Sequence, residues 1–238
     1  MTTTNPTHVP QLRLPGQAAA HPGPVDMTLM YVMHHGFRRD LAAFAAAAQA
    51  TPASDRVTWQ ALARRWATFA MVLHHHHSGE DAGVWPTLLE RTDDAGRSVL
   101  AAMEAEHAEI DPALEACGAG FARLAAQADE DARAALAVRL AATREALARH
   151  LEHEETEAIA IIQTVLTDAE WQAMDKEYFQ KNASLSVITT LVPWALHGLD
   201  AATLDTIMAH ATVPHRVMWA LTRGSFARRE REAFRYVR

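Results

Sequence analysis

Residues 62–84 read LARRWATFAMVLHHHHSGEDAGV, and the polar positions in that run decide the fold. At helical spacing Leu62, Trp66, Phe69, Leu73, His76, Glu80 and Val84 share one stripe. The neighbouring stripe through His77 holds Ala63, Ala70, His74 and Asp81, which are small or charged. The heavy apolar residues therefore turn His76 and Glu80 inward. They are four residues apart, one turn apart on one helix face.

The same test applied outward finds three more such faces. Upstream, Met27, Met30, His34, Phe37, Leu41 and Phe44 form a stripe, while the one through His35 carries Thr28, Arg39 and Ala42. Downstream, Leu100, Met103, His107, Ile110, Leu114 and Phe121 form another. The fourth is Leu136, Leu140, Leu147, His150, Glu154, Ala158 and Ile161, and the His153 stripe beside it reads as a solvent face. Nine of the 14 histidines lie in these four segments, one inward group to each.

Breaks between the segments are short. Thr51-Pro52 ends the first helix, which starts near Asp26. Ser54 is the expected N-cap of the second, which runs to about Arg91, and Asp93-Asp94 caps the third. A kink or interruption is expected in the third at Pro112 and at Gly118–Gly120. The fourth runs from about Glu130 to Val165, and Thr167 with Glu170 then reads as a capping box. Short loops between long helices predict an all-α, up-down four-helix bundle.

Residues 1–24 carry five prolines and read as a flexible or extended N-terminal arm, 25–166 as the bundle, and 167–238 as a helical C-terminal appendage. Pro193, Gly198, Pro214 and Gly224 are expected to divide that appendage into shorter helices. Trp194, Trp219 and Phe226 are expected to pack it against the bundle or a second copy, so its helices are a candidate surface for self-association. His197, His210 and His215 converge with no carboxylate pattern and read as structural. Arginines 223, 228, 229, 231, 235 and 238 read as a solvated face.

Composition agrees with a helical globular protein: 49% hydrophobic, 21% charged, 7% aromatic, with 10 glycines and 10 prolines. A net charge of -7 is no match for nucleic acid or an anionic membrane. No apolar run approaches the roughly 18 residues a membrane helix needs, and the N-terminus has no secretory pattern. Cys117 is the sole cysteine and reads as a small core residue. A cytoplasmic protein is expected.

Buried carboxylates are costly unless paired. Two of them beside four inward imidazoles make sense around cations, and imidazole plus carboxylate suits iron, manganese or zinc. Two bridging carboxylates suit a pair of metals. The set is His34, His76, Glu80, His107, His150 and Glu154.

At these residues the chain resembles the hemerythrin-like (HHE cation-binding) family. The matching text is MHHGFRRDL at 33–41, HHHHSGEDAGVWP at 74–86, EAEHAEID at 104–111 and HLEHEE at 150–155. The resemblance covers about Val25 to Leu166. It implies that the six residues hold two iron ions, joined by an oxide or hydroxide bridge. Oxygen-carrying members have a second histidine four residues beyond the helix-three ligand, whereas Asp111 stands there here. Either Asp111 is a further ligand or water or substrate takes that place, an extra opening that favours chemistry over carriage. His35, His75, His77, Asp81, His153 and Glu155 read as partners of the ligands or as surface groups. The ferritin-like carboxylate class needs two Glu-x-x-His pairs; only Glu104 to His107 fits.

The expected function is binding of oxygen or a related small molecule, such as nitric oxide or peroxide, for sensing, storage or delivery. The alternative is a diiron enzyme that activates oxygen or disproportionates hydrogen peroxide. A third reading is iron handling, with occupancy controlling folding.

Overall fold

The computed structural model describes residues 8–181 and 185–237. Among them the structure is helical, with no strand beyond an isolated bridge between Val9 and Gly23. Helix α1 spans Thr28–Ala50. Helix α2, Arg56–Gly79, continues through a π-helical turn, Glu80–Val84, into α3, Trp85–Leu89. Helix α4 spans Asp94–Ala126. Helix α5, Glu130–His153, passes through a second π-turn, Glu154–Ala158, into α6, Ile159–Val165. Then come α7, Asp168–Met174, a third π-turn, Asp175–Gln180, and α8 (Leu185–Leu196), α9 (Ala201–His210) and α10 (Val213–Ala233).

Side-chain caps set these boundaries. Asp55, not Ser54, caps α2, accepting from the Thr58 N–H at 3.2 Å. Asp93 accepts from the Gly96 N–H at 2.9 Å and Asp129 from the Ala132 N–H at 2.8 Å, satisfying free donors of α4 and α5. Thr167 and Glu170 form the expected capping box. Helix α4 runs unbroken through Pro112, Gly118 and Gly120. Its glycines are packing positions instead of breaks. A Cβ at Gly120 would meet Leu136 Cδ1 at 2.9 Å, and one at Gly118 would meet Trp66 Nε1 at 3.3 Å.

The chain divides into two compact units. The first holds Met1–Arg38, Leu73–Ala113 and Glu145–Asn182, the second Arg39–Val72, Leu114–Arg144 and Ala183–Arg238. Helices α1 and α4 begin in the first unit and end in the second, while α2 and α5 do the reverse. That alternation is the up-down order. The units do not follow the expected split at residue 166: α7 belongs with the first and α8 to α10 with the second.

In the first unit, residues 8–27 are extended yet tied down, and the first seven residues lie outside the described ones. Val9 N–H bonds the Gly23 carbonyl at 2.9 Å, Gln163 bonds both the Val25 N–H and its carbonyl, and Leu14 and Val25 are buried. Of the two readings of this arm, the structure shows the extended one over 8–24, a strap with bonds to the Glu155 and Gln163 side chains.

In the second unit the core is aromatic. Phe44 packs edge-on against Trp66, Phe69 and Phe121 at 5.0, 5.8 and 5.4 Å between centroids. Beside it lies a buried ionic network. Asp40 accepts from Arg65 Nη2 and from Trp194 Nε1, each at 2.6 Å, and from Arg39 at 2.8 Å, while Arg65 also donates to Glu230. Trp194 and Phe226 are buried and Trp219 is half-buried. Pro193 lies inside α8 and Gly224 inside α10, so neither divides the extension. Gly198, at φ +78°, and Pro214, in the first turn of α10, mark the actual breaks. Arginines 223, 228, 229, 231 and 235 are exposed, and Arg238 lies outside the described residues. Cys117 is buried, 3.5 Å from the Thr143 hydroxyl.

Candidate metal centre

Four helices bring their inward residues together within the first unit. His34 comes from α1, His76 and Glu80 from α2 and its π-turn, His107 from α4, and His150 and Glu154 from α5 and its π-turn. All six are at most 3% exposed. Both carboxylates open a π-turn. Such turns add one residue to the helical repeat and recur at functional sites. The effect on phase is visible after Glu154: the expected Ile161 is only half-buried, and Ile159 and Ile162 face the core instead.

Donor atoms collect into two groups, His34, His76 and Glu154 in one, and His77, His107 and His150 in the other. Within each group the atoms lie within 4.8 Å of one another. Glu80 reaches both, with Oε1 3.2 Å from His76 Nε2 and Oε2 3.6 Å from His107 Nε2. Glu154 does likewise: its Oε2 is 3.2 Å from His34 Nε2 and 3.8 Å from His150 Nε2.

Asp111 is in neither donor group. Its half-exposed carboxylate lies 4.0 Å from His74 Nδ1, a surface residue. His77 takes the opposite course. Read as a partner of the ligands or a surface group, it is 2% exposed and stacks on His107 at 3.9 Å. Its stripe holds small or charged residues, Ala63, Ala70, His74 and Asp81, but the inward sector of a helix spans 100° or more. Two adjacent residues can both reach the interior, and the run of four histidines was the available signal.

Neither oxygen of Glu80 or Glu154 has a hydrogen-bond donor, and His34 Nε2, His76 Nε2 and both nitrogens of His77 also lack partners. Each unsatisfied buried polar group costs about 1–3 kcal/mol, more when charged. So many lone pairs aimed at shared points fit cations held between them. Burial and the adjoining Glu154 and Asp81 push Glu80 far above the usual carboxylate range. Burial works the same way on Glu154, but His34, His76 and His150 outweigh it and hold the group low. Burial and the surrounding imidazoles press His76 and His77 well below the usual histidine range, so their lone pairs are available.

The outward-facing nitrogens are anchored, which fixes the rings. His34 Nδ1 bonds Glu155 at 2.9 Å, and Arg38 clamps that carboxylate through two bonds of 2.6 and 2.9 Å. The strap adds the Ala18 N–H at 2.7 Å. His107 Nδ1 bonds Asp81 at 2.8 Å. Glu106 holds both His150 Nδ1, at 2.9 Å, and His153 Nδ1, at 2.8 Å. The sequence gives no sign of Glu106; Asp81 and Glu155, read as ligand partners or surface groups, lie on His107 and His34, and His153 bonds Glu106. Losing a partner of this kind weakens metal binding by roughly 10–100-fold. Glu155→Gln is expected to fall in that range with helical content unchanged, as measured by metal titration beside circular dichroism.

A family model for the hemerythrin HHE cation-binding domain matches residues 26–162. The chain belongs to this family. No curated protein and no solved structure matches it. As an HHE domain the chain is a cation-binding helical bundle, and the match ends within α6, before α7 to α10. Among the described residues, no helix is long and apolar enough to cross a membrane.

Proposed function

We propose that this HHE domain holds two iron ions and binds oxygen, or a related small molecule such as nitric oxide or peroxide, for sensing, storage or delivery. The observation that carries this reading is the pair of donor groups joined by Glu80 and Glu154. Each carboxylate lies against imidazoles of both groups, as bridging ligands of a metal pair must. His34, His76, His107 and His150 supply nitrogen donors, and mixed imidazole–carboxylate sets suit iron. When bound, the iron pair supplies adjacent redox-active centres at which a small ligand can attach.

The chain itself shields and orients. Phe37 packs 5.1 Å from the His76 ring, and Phe179, from the third π-turn, lies 6.3 Å away on the same ring. Gly79 and Gly83 make room for that cover: a Cβ there would lie 2.4 Å from Phe179 and 2.2 Å from Tyr178. His75 bonds the Phe179 carbonyl at 2.8 Å and keeps the segment in place. Apolar cover of this kind excludes water and strengthens the charge interactions beneath it.

The test is anaerobic loading with ferrous iron, then oxygen while the visible spectrum is recorded, then an inert-gas purge. An oxygen-dependent band that vanishes on purging is the expected result. An irreversible change accompanied by catalytic loss of added peroxide, absent in His76→Ala, would overturn it in favour of the enzymatic reading.

A further inference from the structure

The resemblance places a fifth imidazole on helix three, at the position Asp111 fills. The structure offers a different source. His77 of α2 is 2% exposed, and neither ring nitrogen has a hydrogen-bond partner. The ring lies parallel to His107 at 3.9 Å and edge-on to His150 at 5.3 Å, and its donor atom lies within 4.8 Å of theirs. An imidazole buried with both nitrogens idle costs stability that packing alone does not return. Asp111 meanwhile lies half-exposed beside His74.

We propose that His77 is the fifth imidazole ligand, supplied from helix two in place of the missing helix-three histidine, and that Asp111 is not a ligand. The inference rests on the two-metal reading above. It makes the two metals unequal: His77, His107 and His150 serve one, and His34 and His76 serve the other, with Glu80 and Glu154 shared. Helix α2 then serves the three-histidine side twice, through His77 and through Asp81, one turn on, which anchors His107. The side with fewer protein donors, covered by Phe37 and Phe179, is then the one with a ligand position the protein does not fill. The absence of a histidine at 111 then no longer argues for an additional opening.

The experiment titrates metal-free wild type, His77→Ala and Asp111→Ala with cobalt(II), reading visible absorption and bound metal per chain, and repeats the His77→Ala titration with imidazole added. Helical circular dichroism of the metal-free proteins checks folding, and His77→Gln, which keeps the bulk, is read in the same way if the alanine variant does not fold. Expected are two metals in wild type and Asp111→Ala. In the His77 variant one metal remains, or the second binds at least about 10-fold more weakly, and imidazole restores the second in His77→Ala. Two metals of unchanged affinity and spectrum in the His77 variant would overturn the proposal, as would loss of one in Asp111→Ala. Fewer than two metals in wild type would instead remove the two-metal reading on which it stands.

Discussion

Glu154→Gln is expected to weaken metal binding by more than about 100-fold and to affect both ions at once. The side chain is fully buried, and one of its oxygens lies 3.2 Å from His34 and 3.8 Å from His150, imidazoles of different donor groups. Changing a partner that merely orients a ligand costs roughly 10–100-fold, so converting a shared ligand itself must cost more. Glutamine keeps the shape and removes the charge, which separates the electrostatic role from packing. Competition titration against a chelator of known affinity gives the number. Loss of one ion with the other held at wild-type affinity would show that Glu154 serves a single metal. In the metal-free state the same variant also takes a buried partner from His34, so circular dichroism of the metal-free protein must accompany the titration to separate loss of fold from loss of affinity.

Asp40→Ala is expected to lower stability by about 3–5 kcal/mol, the usual cost of removing one partner from a buried ion pair. For a chain of this size that is roughly 6–20 °C in melting temperature. Asp40 is 1% exposed and collects Arg39, Arg65 and the Trp194 indole, so its loss leaves Arg65 with Glu230 alone. Burial works against its charge, but Arg39 and Arg65 outweigh burial and hold the carboxyl below the usual range. A lowered folded-state value adds stability above the unfolded value, near pH 4, and that stability disappears as pH falls through the folded value. Melting temperatures of the metal-free proteins should therefore differ most near neutrality and draw together in acid. An equal difference at every pH would mean that packing, and not charge, explains the loss.

Periodicity alone exposed the bundle and its inward positions. The stripes through His34, His76, His107 and His150 proved buried almost residue for residue, because a helix that hides one face must repeat heavy apolar side chains along it. What stayed hidden had local causes. A π-turn leaves no mark in composition, so the change of phase from Ile161 to Ile162 could not be read from spacing. The burial of His77 escapes the stripe test because it comes from His107 and His150 on other helices. The fixed strap over residues 8–24 depends on Gln163 and Glu155, more than a hundred residues away. Pro112 and the α4 glycines look like breakers, yet the glycines are where Trp66 and Leu136 press against the helix.

The measurement to make first is a count of iron in protein loaded anaerobically and desalted, beside the same count with zinc offered in competition. Two iron ions per chain, bound in preference to zinc and lost together in Glu154→Gln, are the predicted result. One ion or none, or retention of zinc in preference to iron, would contradict a diiron centre bridged by Glu80 and Glu154.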